Sequence, residues 1–261
     1  MRLDNWKDQL KPFLPTFLLY LYRMVGRPKD GVGTIRFLHH AYPRMNFVQR
    51  RALIGDLYRI SNGIKCAHEQ HEMLSVIHDI LLMDLRGVRG CVVEAGCYKG
   101  GSTAKFSLAA RQVGRKLFVF DSFEGIPDNE EKHKNNIFGE PVFFPGGSYY
   151  GALEEVMANV KNWGAIDVCR FIKGYFEESL PHFTKPIGVV YLDVDLASST
   201  RTCLKYLYPL LMPGGVLYSQ DGHLPLVLEV FDDDQLWAEL GYQKPVIEGF
   251  RKKKLLRIVK P

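Results

Sequence analysis

From about residue 91 onward, short uninterrupted apolar segments alternate with helical patterns. The apolar segments have the length and composition of strands that are buried on both faces, and they lie at 91–93, 117–120, 168–172, 187–192 and 216–218. Helical patterns occupy the intervening 102–113, 150–161, 199–207 and 224–240. Such an alternation predicts an α/β fold in which helices cover both faces of a largely parallel sheet.

Two further strand patterns, at 242–247 and 254–259, close the sequence. The link between them is too short for a helix, so they are expected to pair as an antiparallel hairpin. A parallel sheet that ends in this way is the topology of class I methyltransferases, with seven strands, rather than that of a plain dehydrogenase. The predicted fold is therefore a Rossmann-like methyltransferase fold preceded by N-terminal helices.

The first 86 residues are predicted to be a helical segment that packs on the core formed by 87–261. Apolar residues recur at helical spacing over 47–60 and 68–85, with a break at Ser61-Asn62-Gly63. The aromatic and aliphatic run at 17–22 is too short to span a bilayer, which takes about 20 residues. Packing of an N-terminal helix explains this run better than a membrane or dimer contact. Within the core, 122–149 is rich in Gly, Pro, Asn and charged residues, as expected of a functional lid or of a disordered loop, and this segment is called the lid.

Charge and cysteine content exclude several classes of partner. The formal net charge is +5, and the basic residues are scattered apart from the run at 251–254, which is typical of a solvated turn. We therefore expect neither a nucleic-acid nor a membrane partner. The five cysteines contain no CxxC pair, and the start of the chain lacks a secretory pattern, so a reducing cytoplasm is expected. A homo-oligomer is an open possibility.

The most specific motif, EAGCYKGGST at 94–103, follows a buried strand and opens a helix. Its glycines permit a sharp turn and close approach of a ligand, and the helix N-terminus offers free N–H groups. Glu94 stands where a dinucleotide fingerprint has its first glycine. A carboxylate there would repel a pyrophosphate but attract an ammonium group, which favours a ligand with a methionine moiety.

Two later strand ends extend this predicted cofactor site. Asp121 ends the second strand, where an acidic residue accepts hydrogen bonds from ribose hydroxyls. Gly174, Tyr175 and Phe176 follow the third strand, at a position beside the adenine, where either aromatic ring stacks on the base or packs in the core.

Oxygen-bearing side chains end the fourth and fifth strands. Asp193 follows one, and Gln220, Asp221 and His223 follow the other. Clustered there, Asp193, Gln220 and Asp221 are candidate ligands for Mg²⁺, which would lower the pKa of an acceptor hydroxyl. Asp193 or His223 is a candidate general base. Asp195 is interpreted as a cap for the helix that begins near Ser198.

The motifs EAGCYKGGST, DSFEGIP, GYFEESLP, YLDVDLASST and LYPLLMPGGVLYSQDGH together resemble the macrocin O-methyltransferase family over roughly 60–245. That family includes sugar O-methyltransferases of macrolide and aminocoumarin biosynthesis. The resemblance implies a Mg²⁺-dependent and S-adenosylmethionine-dependent enzyme that acts on a hydroxyl of a sugar or glycosylated natural product. It also implies metal-binding and catalytic roles for Asp193, a ribose contact at Asp121 and cofactor contacts at Ile64 and Lys65.

The full set of predicted cofactor-binding residues is Ile64, Lys65, Glu94, Gly96, Cys97, Tyr98, Gly100, Ser102, Asp121, Ser122, Phe123, Gly174, Tyr175, Phe176 and Asp193. The predicted catalytic residues are Asp193, Asp221 and His223. The family usually has two aspartates where this chain has Gln220-Asp221, and often a tyrosine at Gly222. The missing charge weakens the metal prediction. Metal-independent O- or N-methyl transfer by His223 or Asp193, and non-catalytic binding of S-adenosylmethionine or another nucleotide, remain alternatives.

Overall fold

A computed structural model of the chain describes residues 27–132 and 134–261. Among these residues, three helices precede the sheet: α1 (Pro28–His39), α2 (Phe47–Gly63) and α3 (Gln70–Leu82). Asn46 and Gln49 form a reciprocal capping box that starts α2. The predicted helices at 47–60 and 68–85 are confirmed, although Ser61-Asn62-Gly63 forms the last turn of α2 instead of following it. The aromatic run at 17–22 lies outside the described residues.

Strands and helices then alternate as the apolar segments predict. The strands are β1 (Cys91–Ala95), β2 (Leu117–Asp121), β3 (Cys169–Lys173), β4 (Ile187–Leu192), β5 (Leu211–Ser219), β6 (Ile247–Glu248) and β7 (Leu256–Val259). The helices between them are α4 (Gly101–Gln112), α5 (Leu153–Trp163), α6 (Phe176–Ser179), α7 (Ala197–Leu207), α8 (Pro225–Asp232) and α9 (Asp234–Glu239).

The seven strands form one sheet in the order β3-β2-β1-β4-β5-β7-β6. β1 to β5 run parallel, whereas β7 is antiparallel to both β5 and β6. The predicted fold, with its terminal antiparallel hairpin, is therefore confirmed. Two predicted elements were wrong in extent. The strand predicted over 242–247 is only the two residues of β6, Ile247–Glu248. The helix over 224–240 divides at Asp233, whose side chain accepts hydrogen bonds from the N–H groups of Gln235 and Leu236 and so starts a new helix.

Successive residues of each central strand face opposite sides of the sheet. Val92 and Tyr191 pack with the first five helices, whereas Val93 and Leu192 pack with α7 to α9. Helix α3 is also tied to the sheet by a polar contact, because the Tyr218 hydroxyl donates to Asp79 Oδ2 at 2.6 Å. The N-terminal helices thus share a core with the sheet, while the predicted boundary at residue 86 stays a prediction. Within the described part of the chain, no helix is long and apolar enough to cross a bilayer.

Candidate active site

A cleft of about 380 Å³ opens where the parallel strands end at their carboxyl termini. Open α/β sheets bind ligands at this edge, where the strand order reverses between β1 and β4. The turn after β1, the ends of β2 and β4, the loop after β5 and the lid all contribute lining residues. The cleft thus brings together motifs that are more than 100 residues apart in sequence.

Gly96 makes the turn after β1 possible. Its φ is +82°, and a Cβ atom built there would lie 2.0 Å from the carbonyl oxygen of Asp193. Only glycine fits this conformation and this close approach. The backbone of β1 therefore passes directly against the end of β4, so the predicted cofactor turn and the predicted reaction centre share a wall.

Asp121 holds two loops at the mouth of the cleft. Its Oδ2 accepts a hydrogen bond from the backbone N–H of Cys97, and its Oδ1 accepts one from Phe123, each at 2.7 Å. Phe123 has a positive φ of 56°, an uncommon conformation for a residue with a side chain. The carboxylate therefore fixes both turns while its side chain still lines the cleft.

Three carboxylates meet beside the turn after β1, in the same cleft. One oxygen each from Asp193, Asp195 and Asp221 lies within 4.8 Å of the other two. Asp221 is buried, and its Oδ2 accepts hydrogen bonds from the N–H groups of Val194 at 2.9 Å and Asp195 at 3.1 Å. Asp195 reaches the cluster with a φ of +59°. The conformation of the backbone after β4 thus brings three acidic side chains together.

The cap predicted for Asp195 was wrong. Helix α7 follows Leu196, and its first N–H groups are bound by Glu131 of the lid. The Oε2 of Glu131 accepts from Ala197 at 2.7 Å, and its Oε1 accepts from the N–H and hydroxyl of Ser198 at 2.8 and 2.7 Å. With the helix end satisfied by the lid, the side chain of Asp195 is left to the cluster.

Burial raises the pKa of Asp193 and Asp195 well above the ordinary value, and the neighbouring carboxylates raise each further. Burial also raises the pKa of Asp221, against the two backbone N–H groups that it binds. Lys254, which lines the same cleft, opposes all three shifts. The three carboxyl groups are therefore harder to ionise here than in water, and a bound cation would favour their charged forms.

Gln220 lies behind this cluster, outside the lining of the cleft. Its Nε2 donates to Glu72 Oε2 at 2.8 Å, and its Oε1 accepts from the Tyr191 hydroxyl at 3.2 Å. Gln220 is fully buried. The structure thus brings Asp195, rather than Gln220, to the other two acidic groups.

Gly222, where the resemblance gives a tyrosine, is a site of close approach. A Cβ atom there would lie 2.4 Å from Leu256 Cγ and 2.8 Å from the carbonyl oxygen of Lys254. A larger side chain would therefore displace strand β7, which pairs with β5 in the sheet. Gly222 departs from the family pattern, and this hairpin packs so closely against it that only a residue without a side chain fits.

Many of the predicted site residues do line the cleft: Gly96, Cys97, Tyr98, Asp121, Ser122, Tyr175, Phe176, Asp193, Asp221 and His223. The others lie outside the lining: Ile64, Lys65, Glu94, Gly100, Ser102, Phe123, Gly174 and Gln220. Sequence reasoning missed Ala67, Glu140 and Lys254. The run at 251–254 was interpreted as solvated, and this holds for its first three residues, which are exposed. Only its last residue, Lys254, turns into the cleft.

Glu94 at the end of β1 is fully buried. Neither of its carboxyl oxygens accepts a hydrogen bond of good geometry from residues 27–132 and 134–261. Burial raises the pKa of Glu94 to about 8, although the nearby Ser102 and Thr103 hydroxyls oppose this shift. Glu94 is therefore uncharged at neutral pH and lies beneath the glycine turn.

The sequence profile of the family described as macrocin-O-methyltransferase (TylF) matches residues 49–234. One similar protein is the 8-demethyl-8-(2,3-dimethoxy-alpha-L-rhamnosyl)-tetracenomycin-C 4'-O-methyltransferase of Streptomyces olivaceus. It is 35% identical over 177 residues, which are 62% of this chain and 63% of that protein. The demethyldecarbamoylnovobiocin O-methyltransferase of Streptomyces niveus is 34% identical over 141 residues, 51% of this chain and 53% of that protein. Each match thus spans less than two thirds of the relative.

Solved structures support the fold. The O-methyltransferase NovP superposes with a TM-score of 0.62 at 23% identity, covering 75% of this chain and 83% of that one. The calicheamicin methyltransferase CalS11 superposes with a TM-score of 0.50 at 17% identity, covering 84% of this chain and 94% of that one. At these identities the likeness concerns the fold alone.

Proposed function

Because the chain belongs to the macrocin O-methyltransferase family, we propose that it transfers a methyl group from S-adenosylmethionine to a hydroxyl of a small molecule. The observation that carries this proposal is the shared cleft. The glycine turn and Asp121 line it together with the cluster of Asp193, Asp195 and Asp221. A donor at the turn and an acceptor at the cluster would be held next to each other.

The methyl donor is assigned to the side of Gly96, Cys97 and Asp121. The turn after β1 lets the donor approach the backbone closely, because Gly96 carries no side chain. Asp121 offers a carboxylate to ribose hydroxyls while it is already held rigid by two backbone N–H groups. Tyr175 and Phe176 line the cleft and are the candidates for stacking on the adenine.

The residues present fit a hard divalent cation such as Mg²⁺. Three carboxylates converge, and oxygen is the ligand that Mg²⁺ prefers. Asp193, Asp195 and Asp221 would hold it, and the bound ion would supply Lewis acidity that lowers the pKa of the acceptor hydroxyl. Asp193 is the candidate for the general base, since its side chain lines the cleft in which the acceptor would bind.

A metal-independent transfer is the second candidate. It is favoured by His223, which lines the cleft at the end of β5, where its backbone carbonyl accepts a hydrogen bond from Ile137 of the lid at 2.9 Å. In that case His223 would take the proton of the acceptor without a cation.

The acceptor is proposed to be a sugar or a glycosylated natural product. Two relatives that resemble this chain are named for O-methylation of such compounds. The lid supplies apolar side chains to the cleft, among them Phe143, which is 84% exposed, and Phe144. These would suit the apolar part of such an acceptor. The five cysteines, which all lie within the described residues, form no disulfide bond with one another. A reducing cytoplasm is the compartment proposed, and self-association stays a prediction.

Calorimetric titration with S-adenosylhomocysteine and with NAD tests the cofactor assignment. We expect binding of the former alone, and NAD binding without S-adenosylhomocysteine binding would contradict the proposal. Methyl transfer to a panel of glycosylated acceptors, with EDTA or with added Mg²⁺, separates the two candidates. Asp193→Ala should abolish transfer, whereas full turnover by that variant would show that the reaction centre lies elsewhere.

A further inference from the structure

A buried polar chain runs from helix α3 to the carboxylate cluster. Glu72 Oε2 accepts from Gln220 Nε2 at 2.8 Å, and Gln220 Oε1 lies 3.2 Å from the Tyr191 hydroxyl. The same hydroxyl lies 3.4 Å from Asp193 Oδ2. Tyr191 and Gln220 are fully buried, and Glu72 is 6% exposed. Each contact pairs a donor with an acceptor, so the chain of hydrogen bonds connects Glu72, Gln220, Tyr191 and Asp193 in that order.

Tyr191 has one hydroxyl proton and two acceptors within reach, Gln220 Oε1 and Asp193 Oδ2. A bond from a hydroxyl to a charged carboxylate is stronger than one to a neutral amide. Both acceptors are within reach at the same time, so the proton is shared between them and lies closer to Asp193 when that carboxylate is charged. Gln220 Oε1 keeps its contact with the hydroxyl in that state. In either charge state the hydroxyl stands against the carboxylate and limits the positions that Asp193 can adopt.

An amide is the group that this position requires. Gln220 donates to Glu72 and accepts from Tyr191, so both ends of its side chain are used away from the cleft. A carboxylate in the same place would stand against Glu72 in a buried site, where like charges repel strongly. An apolar side chain would leave Glu72 and Tyr191 without this partner.

We propose that Gln220 is a positioning residue that acts through Tyr191 on the carboxylate of Asp193, with Glu72 as its anchor. This inference rests on the proposed function, because Asp193 matters through the cation and the acceptor that it would bind. Side chains that orient a metal-binding carboxylate typically change metal affinity by about 10- to 100-fold when they are removed.

The test is a double-mutant cycle in which the affinity for Mn²⁺ is measured. The electron paramagnetic resonance signal of the free ion reports how much Mn²⁺ remains unbound. Tyr191→Phe removes one oxygen atom, and Gln220→Met keeps the length of the side chain. We expect each to weaken Mn²⁺ binding at least about tenfold. The double variant should bind Mn²⁺ about as tightly as the single variant with the lower affinity, because both substitutions break the same chain of hydrogen bonds.

Tyr218→Phe is the matched control. Tyr218 is the register partner of Tyr191 on β5 and is equally buried, but its hydroxyl bonds to Asp79 and the carbonyl oxygen of Ser75. We expect this variant to lose thermal stability and to keep Mn²⁺ affinity within about twofold of the parent.

Three results would overturn the inference. The first is a Tyr191→Phe variant with the same affinity as the parent. The second is additive effects in the double variant, which would show that Gln220 acts independently of Tyr191. The third is a parent that binds no Mn²⁺. If that parent still binds S-adenosylhomocysteine, the methyl-donor part of the proposed function stands, and if it binds neither, the proposed function fails as well.

Discussion

The Oδ2 atom of Asp121 accepts a hydrogen bond of 2.7 Å from the backbone N–H of Cys97, which ties the end of β2 to the turn after β1. The opposite oxygen of the same carboxylate is equally engaged by Phe123. Both oxygens therefore face N–H donors, so a side chain that carries an N–H group of its own at this position would face one of these donors.

Asp121→Asn should weaken binding of S-adenosylhomocysteine at least about tenfold, because hydrogen bonds to a charged group are worth roughly 1.5–3 kcal/mol. The new amide N–H₂ would also face a backbone N–H and shift one of the two turns. Calorimetric titration measures the affinity. The control is Asp167→Asn, an exposed aspartate at the opposite end of the sheet, before β3. Equal affinities for the two variants would contradict the role given to Asp121.

Glu94→Gln should change how stability depends on pH. The folded pKa of Glu94 is raised to about 8 from 4.5, so the folded state holds a proton that the unfolded state releases. The free energy of unfolding of the parent should therefore fall as pH rises from about 5 to 8, with this group contributing up to roughly 1.4 kcal/mol per pH unit. Glutamine cannot titrate and should remove that contribution.

Urea unfolding at several pH values in this window measures the slope for Glu94→Gln. The exposed Glu154→Gln on α5 is the control and should keep the slope of the parent. Parallel curves for the parent and Glu94→Gln would mean that Glu94 is ionised in the folded protein.

Glu131→Ala should loosen the lid. Glu131 caps helix α7 with three hydrogen bonds of 2.7–2.8 Å, and loss of a cap costs about 1 kcal/mol. Amide hydrogen exchange should then become faster at Ala197 and Ser198 and across the lid, including Ile137, which donates to the His223 carbonyl. The adjacent, exposed Glu130→Ala should exchange like the parent. Unchanged lid exchange in Glu131→Ala would show that other contacts hold the lid.

Asp30→Asn should destabilise the protein within a defined pH window. Asp30 is buried and accepts hydrogen bonds from the backbone N–H of His71 at 2.8 Å and from its Nδ1 at 3.1 Å. Its hydrogen bonds to His71 hold the pKa of Asp30 below its ordinary value despite burial. The hydrogen bond to Asp30 raises the pKa of His71 above 6.5.

The stability from His71 is fully present below pH 6.5 and is lost as pH rises through its raised pKa. The stability from Asp30 is present above pH 3.8 and is lost as pH falls through its lowered pKa. The loss caused by Asp30→Asn, about 1–3 kcal/mol, should therefore be larger at pH 5.5 than at pH 8.5. Urea unfolding measures it. Asp56→Asn, which breaks the exposed pair with Arg59, should cost little at either pH.

The strand positions and the glycine turn were predictable from the sequence because they depend on local patterns. Continuous apolar segments, a glycine turn and an acidic residue at a strand end occur at fixed spacing along the chain. The convergence of the carboxylates was predictable only in part. The strand ends placed Asp193 and Asp221 at the same edge, but the contribution of Asp195 depends on a left-handed backbone and on the lid residue Glu131, which binds Ala197 from 66 residues earlier in the chain.

Long-range contacts also explain why the roles of Gln220 and Lys254 escaped sequence reasoning. The orientation of Gln220 depends on Glu72, which lies 148 residues earlier in the chain. Lys254 belongs to a basic run of the kind that is usually solvated, and only the path of the turn before β7 directs it towards the cleft. Neither arrangement leaves a periodic signal in the sequence.

Helix α3 carries both Glu72 and Asp79, two turns apart on one face, and they hold Gln220 and Tyr218 of β5. A chimera that took residues 27–86 from a relative would replace both of these anchors at once. We therefore expect an exchange of the lid to leave these two anchors in place, although the lid itself packs on the core through Ile126 and Phe144. An exchange of the N-terminal helices would instead remove the side chains that hold β5.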